Sequence, residues 1–301
     1  MFSIHDLNSY VKNIMELLVF RIIGSLAMIL PSNGVALLGD WIGYLCARVF
    51  KFRKIEVQRH LTIAFPEKGC DWKNRISLKS YRHLARESLV FLGSTRLNQL
   101  DIRDQVRIEG LESLERALQQ GSGVMVVSGH LGNWEIGAAA LAERGIPLDV
   151  VVQDQRNHFV DKSLLDLRRR MGIGVITVQQ GPYAVLNSLR NGRVTAWLGD
   201  QSPMRSSVAV NLFGIPVRAL KGPALLALRS GASIFFASST VIPNSVGRYR
   251  VELKNIPVTE NQNVKKMVRE LTQTHTKLLE LAIRRNPDQY LWHHRRWKNR
   301  N

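Results

Sequence analysis

Between residues 123 and 254 short β-rich apolar runs alternate with helical stretches, and this alternation restricts the fold more than any other feature of the chain. "GVMVVS" (123–128), "PLDVVVQ" (147–153), "GVITV" (174–178), "RVTAWLGD" (193–200), "VAVNLF" (208–213), "SIFFASS" (233–239) and "RYRVELK" (248–254) read as strands. "NWEIGAAALAERG", "VDKSLLDLRRRMG", "PYAVLNSLRNG" and "KGPALLALRSG" space their apolar residues for a helix, and each ends on Gly. Strands and helices joined by such short links specify an α/β sheet covered by helices. An amphipathic helix is expected from Trp72 to about Arg96, a short one within 110–123, and a last one over 264–285. We therefore divide the chain into a membrane-associated helical anchor (1–54), a helical region (55–104), an α/β core (105–260), and a C-terminal helix with a basic aromatic tail (261–301).

Charge narrows the partners. The 301 residues carry 42 Lys+Arg against 24 Asp+Glu, a formal net charge of +18. Such a field suits nucleic acid, an anionic membrane leaflet, phosphorylated substrates or an acidic carrier protein. Cys46 and Cys70 have neither CxxC spacing nor a nearby His set, so no disulfide framework or zinc site is expected and a reducing cytoplasmic setting fits. Oligomeric state leaves no mark in the sequence.

The first fifty residues bear on the membrane. The mostly apolar run from Leu17 to Leu30 is interrupted by Arg21 and falls short of the ~20 residues that cross a bilayer core. It lacks the charged start and cleavage site of a signal peptide. A second apolar stretch holds Trp41 and Tyr44 and closes on Arg48, Lys51, Arg53 and Lys54. Interfacial aromatics with a trailing basic cluster suit a helical pair lying on an anionic leaflet, or one marginal span; a pair of buried core helices is the alternative.

In open α/β sheets, ligand chemistry gathers outside the carboxyl ends of strands. His130 stands two residues beyond the first long strand, in "SGHLGNWE", with Glu135 five positions on. On a regular helix these two would face apart, because helical neighbours are three or four residues apart. Gly129, Gly132 and Asn133 let the chain bend between them. Brought together, the imidazole can take a proton from an alcohol while the carboxylate fixes its tautomer. Backbone N–H groups at the helix start add a place for a developing oxyanion. On spacing alone, simple strand-to-helix punctuation, with Glu135 complementing a helix dipole, is the competing account.

"SGHLGNWE" resembles the H-x4-D/E motif of the glycerolipid and lysophospholipid acyltransferases, and its "GH-x-GNWE" form is similar to that of the bacterial lipid A late acyltransferases. Further matches run in order along the chain: "RHLTIAFPE" (59–67), "QDQRNHFVDKSLLDLRRRMGIGVI", "WLGDQSPMRSSVAVNLFGIPVRALKGPALLALRSGASI" and the closing "NPDQYLWHHRRWKNR". Two departures stand out. His60 replaces the family's usual Asn, touching an anchoring contact, and "SIFFASSTVIP" lacks the usual Val-Pro after its strand, which points to a changed acyl or acceptor pocket.

The resemblance implies a mixed β-sheet flanked by helices, with N-terminal membrane-associated helices on the cytoplasmic face of a bacterial inner membrane. It implies O-acyl transfer from an acyl-carrier-protein or acyl-CoA thioester to a hydroxyl of a membrane glycolipid, foremost a lipid A precursor. His130 would be the general base, oriented by Glu135, with neither a metal nor a redox cofactor. A phosphatidylinositol mannoside or a lysophospholipid is the alternative acceptor. A non-catalytic basic protein binding membrane or nucleic acid is the rival from another class.

Substrate contacts are expected from Asn133, Arg156, Arg170, Asp200, Gln201, Phe213, Gly214, Pro216, Arg218 and Lys221. Successive helix residues are ~100° apart, so Arg168, Arg169 and Arg170 cannot all face inward, and motif position favours Arg170. Arg156 is a candidate phosphate or phosphopantetheine contact. Asp200-Gln201 follows a strand end, where an internal ion-pair role fits Asp200 better than direct catalysis. In "FGIP" (213–216) Gly allows close approach and Pro fixes a bend, placing Arg218 and Lys221 to bind an acceptor phosphate. The tail, with Trp292, Trp297, Arg295, Arg296, Lys298 and Arg300, lacks any RRM or zinc-finger pattern, so no nucleic-acid partner is expected. It fits a membrane surface, or packing of Trp292 on the core.

Overall fold

The protein was analysed as a computed structural model describing residues 4–94, 99–201, 206–243, 245–259 and 261–297. Arg96, Lys298 and Arg300 lie outside these. Four helices come first: α1 (Ile4–Ile29), α2 (Ser32–Arg48), α3 (Lys54–Ala64) and α4 (Cys70–Leu92). Then follow α5 (Gln99–Gln105), β1 (Val106–Glu109), α6 (Leu111–Gln119), β2 (Val124–Ser128), α7 (Trp134–Glu143), β3 (Leu148–Val152), α8 (His158–Arg170) and β4 (Gly174–Thr177). The chain continues through α9 (Gly181–Arg190), β5 (Val194–Leu198), β6 (Ser207–Leu212), β7 (Ile215–Leu220), α10 (Gly222–Ser230), β8 (Ser233–Val241), β9 (Tyr249–Ile256) and α11 (Val264–Arg285).

Seven strands form one sheet in the order β1-β9-β8-β2-β5-β3-β4. All neighbours are parallel except β8 and β9, which a short link joins as an antiparallel pair. The expected mixed α/β sheet is therefore present. β2 lies at its centre with Val124, Met125, Val126 and Val127 almost inaccessible, which is why that strand reads as an unbroken apolar run. One face packs Val126, Phe235 and Val194 against α7; the other packs Met125, Val127 and Phe236 against α10 and α11. β6 and β7 make a separate antiparallel hairpin, where a bent loop had been expected after Phe213. Pro216 is tolerated there because a two-stranded ribbon has free edges.

The N-terminal helices pack on the rest of the protein. α2 crosses α4 so closely that a Cβ on Gly39 or Gly43 would lie 2.5 Å from the Cα of Arg86 or Arg82. Among the described residues no helix is long and apolar enough to cross a membrane, which overturns the single marginal span. The physical reason is charge: Lys12, Glu16 and Arg21 break the apolar length of α1, and Asp40 that of α2. Their outward faces nonetheless carry Met15, Ile22, Leu37 and Trp41, and the α2–α3 link exposes Phe50 and Phe52 beside Lys51 and Arg53.

Up to Trp297, the C-terminal tail anchors its aromatic residues in the core. Trp292 is fully buried and Trp297 nearly so, both within the aromatic cluster around Phe65 and Phe213. His60 Nδ1 bonds the Trp292 carbonyl at 2.8 Å and its ring meets Trp297, so the His that departs from the family pattern ties α3 to the tail.

Candidate active site

Parallel neighbours β2 and β5 end level, Ser128 opposite Leu198, so the segments that follow them lie side by side. One begins Gly129-His130 and the other Gly199-Asp200-Gln201. Asp200 Oδ2 accepts the backbone N–H of His130 at 2.9 Å, and Oδ1 meets Nδ1 of the same residue at 2.7 Å. An ionised carboxylate only accepts, so Nδ1 carries the proton and Nε2 presents its lone pair. The Gln201 side-chain amide faces Nε2 at 3.2 Å, in the position of a donor to that lone pair. The Trp134 ring meets the imidazole edge-on at 4.9 Å between centroids. Burial alone would push the Asp200 carboxyl up. The His130 imidazole it faces, the bonds from His130 and the nearby Arg296 outweigh that, holding it well below the usual carboxylate range. The site thus holds a histidine in the tautomer a general base requires.

Glu135 does not orient His130. It stands in the first turn of α7, and its carboxylate is directed at α8, where Arg168 grips it twice, Nε to Oε2 at 3.0 Å and a terminal nitrogen to Oε1 at 2.6 Å. Gly132, at φ +67°, turns the chain as its glycine suggested, but it delivers His130 and Glu135 to different partners, Asp200 and Arg168. The ordering carboxylate comes from the neighbouring strand.

Arg168, not Arg170, is the inward arginine of its run. Arg170 is exposed at the helix end, whereas Arg168 packs over the Phe91 ring and lines the site. Asn133 contacts structure rather than a substrate space. It is buried, caps α7 by accepting the Ile136 N–H, and donates to Glu87, whose carboxylate also takes the Tyr249 hydroxyl. Arg156 is exposed in the loop before α8 and outside the cavity described below. Phe213, Gly214, Pro216, Arg218 and Lys221 also lie outside it. Phe213 is buried against Trp292 and Trp297 under the Arg284 guanidinium, and Gly214 turns the β6–β7 hairpin. Pro216 pairs with Asn211 in that hairpin, Arg218 bonds Ser207, and Lys221 begins α10.

The backbone N–H groups of Leu131, Gly132 and Asn133 are donated to the carbonyls of Gly129, Gln289 and Ser239. These three N–H groups are thereby taken up within the protein and do not face a substrate.

His130, Trp134, Glu135, Arg168 and Gln201 stand where a cavity of about 1000 Å³ meets the strand ends. From there it runs between α7 and the sheet, over Gly137 and Ala138 on one side and Val150, Ala196 and Ala237 on the other, to Leu141 and Leu148. Small residues at facing positions leave this space where larger ones would close it. It is a largely apolar channel with the His130 imidazole at one end.

The family model for bacterial lipid A biosynthesis acyltransferases matches residues 9–299. The chain belongs to this family. It is thus an enzyme that transfers acyl groups. A lipid A biosynthesis palmitoleoyltransferase of Escherichia coli K12 is 27% identical over 280 residues, covering 90% of this chain and 87% of that protein. A lipid A biosynthesis lauroyltransferase of the same organism is 25% identical over 286 residues, with 90% and 87% covered. A phosphatidylinositol mannoside acyltransferase of Mycobacterium tuberculosis is 32% identical over 164 residues, 52% of this chain and 51% of that protein.

Proposed function

We propose that this acyltransferase moves a fatty acyl chain from an acyl-carrier-protein or acyl-CoA thioester to a hydroxyl of a membrane glycolipid, foremost a lipid A precursor. The observation that carries the proposal is His130, backed by Asp200, at the end of an apolar channel. Nε2 of His130 removes the acceptor hydroxyl's proton, and the alkoxide oxygen attacks the thioester carbonyl. The C–S bond then breaks, and the thiolate leaves with the proton held by His130. No covalent acyl-enzyme is required. The acyl chain occupies the channel between α7 and the sheet. Asp200 holds the tautomer and stabilises the imidazolium, while Glu135 keeps the Arg168 guanidinium at the mouth to receive an anionic group of donor or acceptor.

The net charge of +18 supports an acidic carrier and an anionic leaflet as partners. The exposed apolar faces of α1 and α2, with Phe50 and Phe52 among basic neighbours, support peripheral attachment to the cytoplasmic face of the inner membrane. A second acceptor class, the phosphatidylinositol mannosides, is favoured by the relative that is 32% identical over about half the chain. Mass spectrometry of lipids from cells with and without the gene distinguishes them. A difference of one acyl group on a glucosamine-based lipid supports the first reading, one on an inositol mannoside supports the second, and unchanged glycolipids refute both.

A further inference from the structure

The closing tail combines a basic cluster with two tryptophans, yet it is buried and hydrogen-bonded to both segments that carry the proposed base and its carboxylate. The Leu291 N–H donates to the carbonyl of His130 itself at 3.0 Å. Gln289 accepts the Gly132 N–H at 2.9 Å, and Leu131 and Tyr290 form an antiparallel bridge between these bonds. The tail therefore runs as a short strand along the loop 130–132.

Its other end reaches the second segment. Arg296, only 4% exposed, donates from one terminal nitrogen to the Arg218 carbonyl at 2.7 Å and lies 3.5 Å from the Gln201 carbonyl with the same atom. The guanidinium thus joins the end of β5 to β7, immediately behind Asp200. Around the Asp200 carboxylate stand His130 from the β2–α7 loop, Tyr290 and Arg296 from the tail, and His275 from α11. Burial pulls the His275 imidazole down to about 4, and Arg296 adds to that, so His275 is neutral at neutral pH. Arg296 is then the fixed positive charge behind the pair. A cation buried to this degree is costly unless its surroundings use it, and a carboxylate together with two backbone carbonyls does so.

We propose that residues 289–297 form part of the active centre, with Arg296 as a positioning residue that sets the Asp200–Gln201 turn against His130. This rests on the reading of His130 as the base. Arg296 contributes through its hydrogen bonds, which hold the turn at the distance where Asp200 and Gln201 both reach the imidazole. Tyr290 assists by giving its hydroxyl to Asp200.

The test uses the full chain, an acyl-carrier-protein thioester and a lipid A precursor, with kcat and KM measured across pH for Arg296→Met, Arg296→Lys and Tyr290→Phe. Arg296→Met is expected to lower kcat by roughly 10- to 100-fold with KM within about threefold. Arg296→Lys, which keeps the charge and a donor but not the fork, recovers part of kcat. Tyr290→Phe lowers kcat by about fivefold with KM unchanged. A purely structural role would lower the yield of folded enzyme, leave kcat of the survivors at the wild-type value and give Arg296→Lys no kinetic advantage over Arg296→Met.

Wild-type kcat in folded Arg296→Met overturns the proposal. Should that variant not fold, wild-type kinetics in both Arg296→Lys and Tyr290→Phe overturn it equally. His130→Ala separates the two levels. Turnover that survives there sinks the base itself, whereas wild-type kinetics in the tail variants sink only the positioning role.

Discussion

Asp200→Asn isolates the feature that distinguishes this site from the His130–Glu135 pair suggested by spacing. The substitution keeps volume and removes the charge beneath two hydrogen bonds, at 2.9 Å to the His130 backbone and 2.7 Å to Nδ1. Each charge-assisted bond in so buried a place is worth about 1.5–3 kcal/mol. The amide also donates: turned toward Nδ1, it forces the proton onto Nε2, where the base needs a lone pair. Losing both bonds in the transition state amounts to ~3–6 kcal/mol, a fall in kcat of about 10²- to 10⁴-fold. KM stays within about threefold, because Gln201 but not Asp200 lines the cavity. Steady-state kinetics over a series of acceptor concentrations measures both constants. The comparison is with Glu135→Gln, Arg168→Met and their double mutant. Each of these singles also loses activity, but the double is no worse than the poorer single within about threefold, because the two side chains act as one ion pair. Wild-type turnover in Asp200→Asn, with Glu135→Gln showing the pattern described for Asp200, refutes the reasoning.

Three further outcomes follow from the same geometry. A Cβ on Gly132 would sit 1.7 Å from the Ser239 carbonyl oxygen at a φ of +67°, so Gly132→Ala lowers stability by about 3 kcal/mol or more and Tm by roughly 5–10 °C; an unshifted melting curve contradicts this. Ala196→Leu fills the channel and shifts donor preference to shorter acyl chains, read by competition between thioesters of different length, and an unchanged product distribution removes the channel as the acyl site. Burial pulls His275 and His293 down to about 4, Arg296 adding to the shift for His275 and Arg53 for His293. In the unfolded chain both titrate near the ordinary ~6.5. Their contribution to stability is therefore complete above about pH 6.5 and is lost as pH falls toward 4, on the order of 3 kcal/mol apiece. Denaturant midpoints that stay flat from pH 7 to 4.5 contradict it. Asp200 acts lower, its contribution fading only as pH drops below the ~3.9 of an unfolded carboxyl.

The sheet was legible because its strands are buried on both faces and announce themselves as apolar runs, with Gly at the helix ends. β1 was not: "VRIE" is a four-residue edge strand beside β9 with only Val106 well buried. β7 was hidden by Pro216 and Arg218, both outward in a ribbon where alternation is the signal. His130 was legible from its place beyond a strand end, and Asp200 from the same rule. Their partnership was not, because it depends on β2 and β5 being neighbours although 65 residues of chain lie between Ser128 and Val194. Strand order is a long-range property, whereas His130 and Glu135 are close in sequence and invited pairing. Helical phase did not separate Arg168 from Arg170, since Arg170 lies three residues after the buried Leu167 and Arg168 only one; the long-range contact with Glu135 decides it. The tail stayed open between a membrane surface and core packing of Trp292, because Trp with Arg suggests an interface and composition does not distinguish a lipid surface from the back of an active site.

The central claim is that His130, backed by Asp200, is the base for acyl transfer to a glycolipid hydroxyl. Purified wild-type enzyme and folded His130→Gln, each incubated with an acyl-carrier-protein thioester and a lipid A precursor, test it by product mass. The account predicts an acceptor heavier by one acyl group with the wild type and none above background with His130→Gln. Equal product from both enzymes contradicts it.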